Sequence, residues 1–126
     1  MKATFSKKEK LKSKKEIERL FESGQSLKKF PILLIYTKNN VVLDQEAQIK
    51  AAVSVSKKRF RKAVDRNRIK RLLREAYRLQ KNEALCGITH SYSLMFIYVG
   101  KELPVFTKIF HKIGLLLKDF RQKEIS

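Results

Sequence analysis

"RNRIKRLLREAYR", residues 66–78, decides how the rest of the chain is read. It holds five arginines and one lysine in thirteen positions, yet Ile69, Leu72, Leu73, Ala76 and Tyr77 recur at helical spacing. At about 100° per residue, Ile69, Leu72, Leu73, Ala76 and Leu79 fall in one arc, and Asn67, Lys70, Arg71, Arg74 and Arg78 gather on the opposite arc. The pattern predicts a helix over about 64–80 that lays an apolar face on a sheet and turns a cationic face outward. Residues three and four apart are neighbours on a helix, so each contact among Lys70, Arg71, Arg74 and Arg78 is unfavourable by ~0.2–0.5 kcal/mol. Arg66 and Arg68 in the first turn also oppose the helix dipole, an effect partly offset by Asp65, the expected N-cap.

Residues 57–81 hold twelve lysines and arginines against Asp65 and Glu75, a net +10 of the chain's +18. Charge runs are often no more than a solvated face. Here the excess is local and mostly arginine, whose planar fork matches phosphate oxygens, and this points to a polyphosphate backbone as the partner.

Beyond this helix, "SYSLMFIYV" (91–99) alternates Tyr92, Leu94, Phe96 and Tyr98 against Ser93, Met95, Ile97 and Val99, which is a strand pattern. "FPILLIYT" (30–37) and "IKAAVSVS" (49–56) are also rich in apolar and β-branched residues. With the polar "KNNVVLDQEAQ" (38–48) as their connection they are expected to be antiparallel neighbours, Pro31 marking a strand start or an edge. "SKKEIERLFESG" (13–24) has the Ser-x-x-Glu spacing of a capping box at Ser13 and Glu16 and a glycine stop at Gly24, predicting a short helix that buries Ile17, Leu20 and Phe21. "KELPVFTKIFHKIGLLLKDF" (101–120) opens with Pro104 as the first helical residue and spaces Phe106, Ile109, Phe110, Ile113, Leu117 and Phe120 at three and four, predicting a closing amphipathic helix. Helices and strands in this order make a small α+β or mixed α/β sandwich.

The 126 residues, 43% of them hydrophobic and only four glycine, suit one domain spanning 1–126, with residues 1–12 a flexible basic arm. No apolar run approaches the roughly 20 residues of a spanning helix, and "MKATFSKKEK" lacks the apolar centre of a signal peptide, so a soluble, cytoplasmic protein is expected. The single Cys86 offers neither a disulfide nor a zinc site and reads as a small buried or loop residue. His90 and His111 have no patterned acidic partner, Ser54 and Ser56 no activating neighbour, and the carboxylates are scattered among lysines. No catalytic residue and no protein-bound metal or cofactor is therefore expected. The residues alone leave two kinds of polyphosphate partner: RNA, as for a structural RNA-binding protein of ribosomal type, or DNA, with the Arg-rich helix in a major groove. The DNA reading would want a helix-turn-helix or paired half-sites, which the intervening strands do not suggest. A membrane-surface helix would need the apolar face that the sheet requires.

"SVSKKRFRKAVDRNRIKRLLREAYRL", residues 54–79, closely resembles the signature of the bacterial ribonuclease P protein subunit: Ser-Val-x-Lys-Lys, then Ala-Val-x-Arg-Asn-Arg-x-Lys-Arg-Leu-x-Arg-Glu. "IERLFESGQSL" before it, an apolar strand ending in Tyr36, and the final helix agree in order. The resemblance implies a single α+β domain of order αβββαβα, a two-layer sandwich with the Arg-rich helix and the C-terminal amphipathic helix packed on the sheet, and an additional short strand near Gln25 to Lys28. It implies partnership with the catalytic ribonuclease P RNA and with precursor tRNA, whose 5′ leader is removed by RNA-catalysed, magnesium-dependent hydrolysis. Neither DNA nor a membrane is implied as a partner. Carried over by residue, the RNA subunit would meet Lys57, Lys58, Arg61, Lys62, Arg66, Asn67, Arg68, Lys70, Arg71 and Arg74. The leader would run between the sheet and the Arg-rich helix, past Ile17, Phe21 and Tyr36. Departures from the family pattern are Ile17, where an aromatic is often found, Ala52 in place of a common glycine, and Phe60 and Arg61 in a loop that contains glycine in some members.

Overall fold

A computed structural model describes residues 11, 14–39, 49–88 and 90–125. The elements follow as α1 (Lys14–Ser23), β1 (Gln25–Lys29), β2 (Ile32–Asn39), β3 (Ile49–Val55), α2 (Ala63–Ala84), β4 (Ser91–Tyr98) and α3 (Phe106–Ile125). This is the expected αβββαβα order, the short extra strand included.

The strands lie in the order β1-β2-β4-β3. β1 and β2 form an antiparallel pair, Gln25 facing Tyr36, and β2 continues antiparallel against β4, Tyr36 facing Leu94. β3 runs parallel to β4, Ala51 facing Leu94, with α2 as the connection between them. The expected β2–β3 pairing is therefore incorrect: β4 enters between the two. Tyr92, Leu94, Phe96 and Tyr98 are buried on one face of β4, and Ser93 and Met95 on the other. A strand with two buried faces is most stable at the centre of a sheet, where both neighbours also satisfy its backbone.

Ile32, Leu34, Tyr36, Leu94 and Phe96 form one core with Ile69, Leu73 and Tyr77 of α2 and Ile113, Leu117 and Phe120 of α3. On the other face, Leu20 of α1 packs with Leu11 and Met95, rimmed by Ile17, Ile35, Ala52 and Ile97. The sheet with α2 and α3 makes the two-layer sandwich, and α1 adds a short cover on its second face. Leu11 is anchored there, its N–H 2.9 Å from the Ala51 carbonyl oxygen. The rest of the arm expected over 1–12, Ser13 of the expected capping box, and residues 40–48 of the β2–β3 connection lie outside the described residues.

Several local expectations shift. In α1 Leu20 is buried but Phe21 is 58% exposed, because so short a helix on one sheet face buries a single narrow row. The buried row of α2 is Ile69, Leu73, Tyr77 and Lys81, while Leu79 is 48% exposed. The helix leans on α3 as well as on the sheet, which rotates its apolar stripe toward the i, i+4 row. Asp65 is the third residue of α2, not its cap; Lys62 occupies the cap position without a side-chain hydrogen bond. Pro104 is buried ahead of α3, whose first residue is Phe106. Gly24 permits the close turn from α1 into β1, since a Cβ there would press on the Leu20 carbonyl oxygen and lie 2.7 Å from Ile35 Cγ2. Beyond α2, Gly87 takes φ +86°, a left-handed conformation suited to glycine. The end of α2 is closed from α3: the Arg121 guanidinium donates to the carbonyls of Ala84, at 3.1 Å, and Cys86. No helix among the described residues is long and apolar enough to cross a membrane.

Candidate nucleic-acid interface

Burying Ile69, Leu73 and Tyr77 stabilises the docked helix by ~1.5–3 kcal/mol per side chain, far above the ~0.2–0.5 kcal/mol cost of each like-charge contact on its outer side. The packing is specific, with the Tyr77 and Phe96 rings 5.4 Å apart. α2 can therefore hold a self-repelling face out to solvent.

On that face Asn67, Arg68, Arg71 and Arg74 are exposed, and Lys70 is half-buried at its margin. Arg68, Lys70, Arg71 and Arg74 form no ion pair with any described carboxylate. Glu75 is committed to Arg78, whose side-chain hydrogen bonds hold the Glu75 carboxyl below the usual carboxylate range. Arg78 is thereby removed from the free cations, and the exposed charge is concentrated on the first half of the helix.

The loop before α2 continues the positive surface. Lys57, Lys58, Arg59, Arg61 and Lys62 are exposed, whereas Phe60 turns inward, buried with its ring 5.9 Å from that of Tyr98. The Phe60 N–H meets the Ser56 carbonyl oxygen at 3.1 Å, and the Lys58 N–H meets Ser56 Oγ at 3.2 Å, closing the turn. Arg66 reaches back from α2, its guanidinium 2.8 Å from the carbonyl oxygens of both Phe60 and Arg61. Of the ten residues expected at the RNA subunit, nine are on this loop and helix face as outward or marginal side chains, and Arg66 serves first as the clamp between loop and helix. Arg59, absent from the expected set, belongs to the same surface, and its guanidinium donates to the Val99 carbonyl. Its place in the basic run was the available signal.

The three residues expected at the leader do not converge. Tyr36 is 2% exposed on the α3 face of the sheet, its ring edge-on to Phe120 at 4.9 Å. The Tyr36 hydroxyl donates to Gln25 Oε1 at 3.0 Å and Glu124 Oε2 at 3.3 Å. Burial, then the Glu124 carboxylate, push that hydroxyl up to about 12. Ile17 and Phe21 are on α1, across the sheet from α2, so they do not share a cleft with the Arg-rich helix. A cavity of about 300 Å³ lies where the two sides meet, lined by Arg19 and Ser23 of α1, by Tyr36 and Lys38, and by Glu124. Arg19 is a cation that no sequence pattern singles out; its guanidinium donates a 2.8 Å hydrogen bond to Asn39 Oδ1. Among the described residues no group of three or more His, Cys, Asp or Glu side chains is arranged to hold a metal ion.

Comparison with known proteins adds an independent line. The family model described as Ribonuclease P matches residues 5–116. The ribonuclease P protein component of Porphyromonas gingivalis is 40% identical over 112 residues, covering 85% of this chain and 80% of the relative. That of Chlorobaculum tepidum is 49% identical over 119 residues, covering 86% and 77%. Among solved structures, the Staphylococcus aureus RNase P protein superposes with a TM-score of 0.70 at 21% identity over 90% of this chain and 95% of that one. The Thermotoga maritima RNase P protein gives 0.69 at 25% identity over 88% and 96%.

Proposed function

The chain belongs to the ribonuclease P protein family, and from that premise we propose that it binds the catalytic RNA and the 5′ leader of precursor tRNA in the cytoplasm, assisting endonucleolytic removal of the leader. The observation that carries this reading is the unneutralised cationic face of α2, Arg68, Lys70, Arg71 and Arg74, continued by a basic loop that Phe60 and Arg66 hold in shape. Neutralising phosphates with these side chains releases counterions, which supplies affinity without sequence preference and lowers the repulsion between substrate and RNA subunit. Hydrolysis in this reading is RNA chemistry, with its magnesium ions held by RNA oxygens. Leader contact falls to Phe21, exposed on α1 and able to stack an unpaired base, with Ile17 half-buried one turn before it; Tyr36, buried beneath α3, supports the sheet instead.

The test is to add the purified protein to ribonuclease P RNA at low magnesium and follow cleavage of precursor tRNA at its 5′ end. Faster cleavage than by RNA alone is expected. Absence of stimulation, together with equal affinity for unrelated RNA, would instead make the protein a structural RNA binder of ribosomal type.

A further inference from the structure

At the end of the sheet where β2 begins and β3 and β4 finish, a cavity of about 450 Å³ opens between the β1–β2 turn, the basic loop and the β4–α3 connection. Three of its lining side chains are large, apolar and exposed: Phe30 at 61%, Val105 at 63% and Leu103 at 47%. Single exposed apolar residues are ordinary on a protein surface, but three converging on one concavity mark a binding site. Arg59, Lys101 and Lys108 stand around it, against the one lining carboxylate of Glu102. Its walls are fixed: the Tyr98 hydroxyl donates to the Glu102 carbonyl oxygen at 2.6 Å, and the Arg59 guanidinium donates to the Val99 carbonyl.

An aromatic ring and aliphatic walls inside a cationic rim suit a flat, apolar-faced group flanked by anions, which is the chemistry of an unstacked base with its phosphates. Arg59 belongs both to this rim and to the exposed basic loop that leads into α2, so one cation is shared by the loop and the cavity. We propose that the cavity holds an unpaired nucleotide of the RNA bound across α2, with the base against Phe30 between Leu103 and Val105 and the adjoining phosphates on Arg59, Lys101 and Lys108. The inference rests on the reading of α2 as an RNA-binding face and extends that face by one site of defined shape.

The full-length protein is titrated into a fluorescent uridine pentaribonucleotide and into an abasic ribose-phosphate strand of the same length, with anisotropy as the readout. The wild-type protein binds the strand with bases about tenfold more tightly. Phe30→Ala brings that preference to within about twofold while leaving affinity for the abasic strand unchanged, and Phe30→Trp retains it. Lys101→Ala with Lys108→Ala weakens both strands alike. A Phe30→Ala protein that keeps the full preference overturns the proposal, as does one whose only change is in self-association by sedimentation. Arg68→Ala with Arg71→Ala, assayed against ribonuclease P RNA, separates the two levels: weakened binding there beside a neutral Phe30→Ala condemns the cavity alone, whereas unchanged binding condemns the reading of α2.

Discussion

Arg66 separates an arginine that builds the interface from those that use it. Its guanidinium donates to the Phe60 and Arg61 carbonyl oxygens, both at 2.8 Å, the first of these bonds partly buried. A hydrogen bond from a charged donor is worth ~1.5–3 kcal/mol where water is excluded and less at the surface, so Arg66→Ala should cost about 2 kcal/mol. For a domain of this size that is roughly 6–10 °C in the melting midpoint. Arg68→Ala with Arg71→Ala removes exposed, like-charged neighbours and should leave the midpoint within about 2 °C. Binding to ribonuclease P RNA across a salt series gives the second readout. The double replacement lowers the slope of log K against log salt by about two units at most, whereas Arg66→Ala weakens binding through a loosened loop with a slope change below about one. Thermal melts and filter binding on the same preparations measure both quantities. If Arg66→Ala melts with the wild type while its salt slope falls as for Arg68, then Arg66 is a phosphate contact and the clamp is incidental.

The tyrosines over α3 predict alkaline behaviour. Tyr92 donates to Glu124 Oε1 at 2.7 Å beside Tyr36, and burial, then the Glu124 hydrogen bond, raise its hydroxyl as well. The folded chain keeps protons that the unfolded chain releases from pH 10, so this share of stability is complete below pH 10 and is lost as pH rises through about 12. Glu124→Gln should bring tyrosinate absorbance in at lower pH, and an unmoved onset would leave burial as the sole cause. Phe21→Ala should hold stability within ~0.5 kcal/mol while lowering affinity for leader-bearing precursor tRNA and not for mature tRNA. Tyr36→Ala should cost ~3–5 kcal/mol and weaken both alike; the opposite pattern for the two residues would reverse their roles.

The elements were legible where pattern and burial coincide. The amphipathic period of α2 and α3 survives in the fold because each has one wide interface, and the exposed arginine face is the direct complement of Ile69, Leu73 and Tyr77. Sheet order was harder, because proximity along the chain favours a β2–β3 hairpin and says nothing of a strand that arrives later. One cue was present: "SLMFIY" is almost continuously apolar, as befits a strand covered on both sides. The leader residues show the limit of helical spacing. Leu20 and Phe21 are adjacent in any apolar arc, and which of them is buried depends on the angle at which α1 meets the sheet. Tyr36 alternates inward like Ile32 and Leu34, but its partner Glu124 is 88 residues away, beyond any local pattern. Arg66 is hidden for a different reason: its acceptors are near in sequence, but they are backbone carbonyls of Phe60 and Arg61, which no side-chain pattern marks.

The central place of β4 has a consequence for synthesis. Both β2 and β3 take their hydrogen-bonded neighbour from residues 91–98, so a ribosome that has not yet delivered that segment has released strands with nowhere to dock, apart from the β1–β2 hairpin. The arginines of α2 emerge earlier, unsupported by the surface that will later hold them. The nascent polypeptide is thus a polycation before it is a domain, open to any nearby polyanion while its topology is still incomplete.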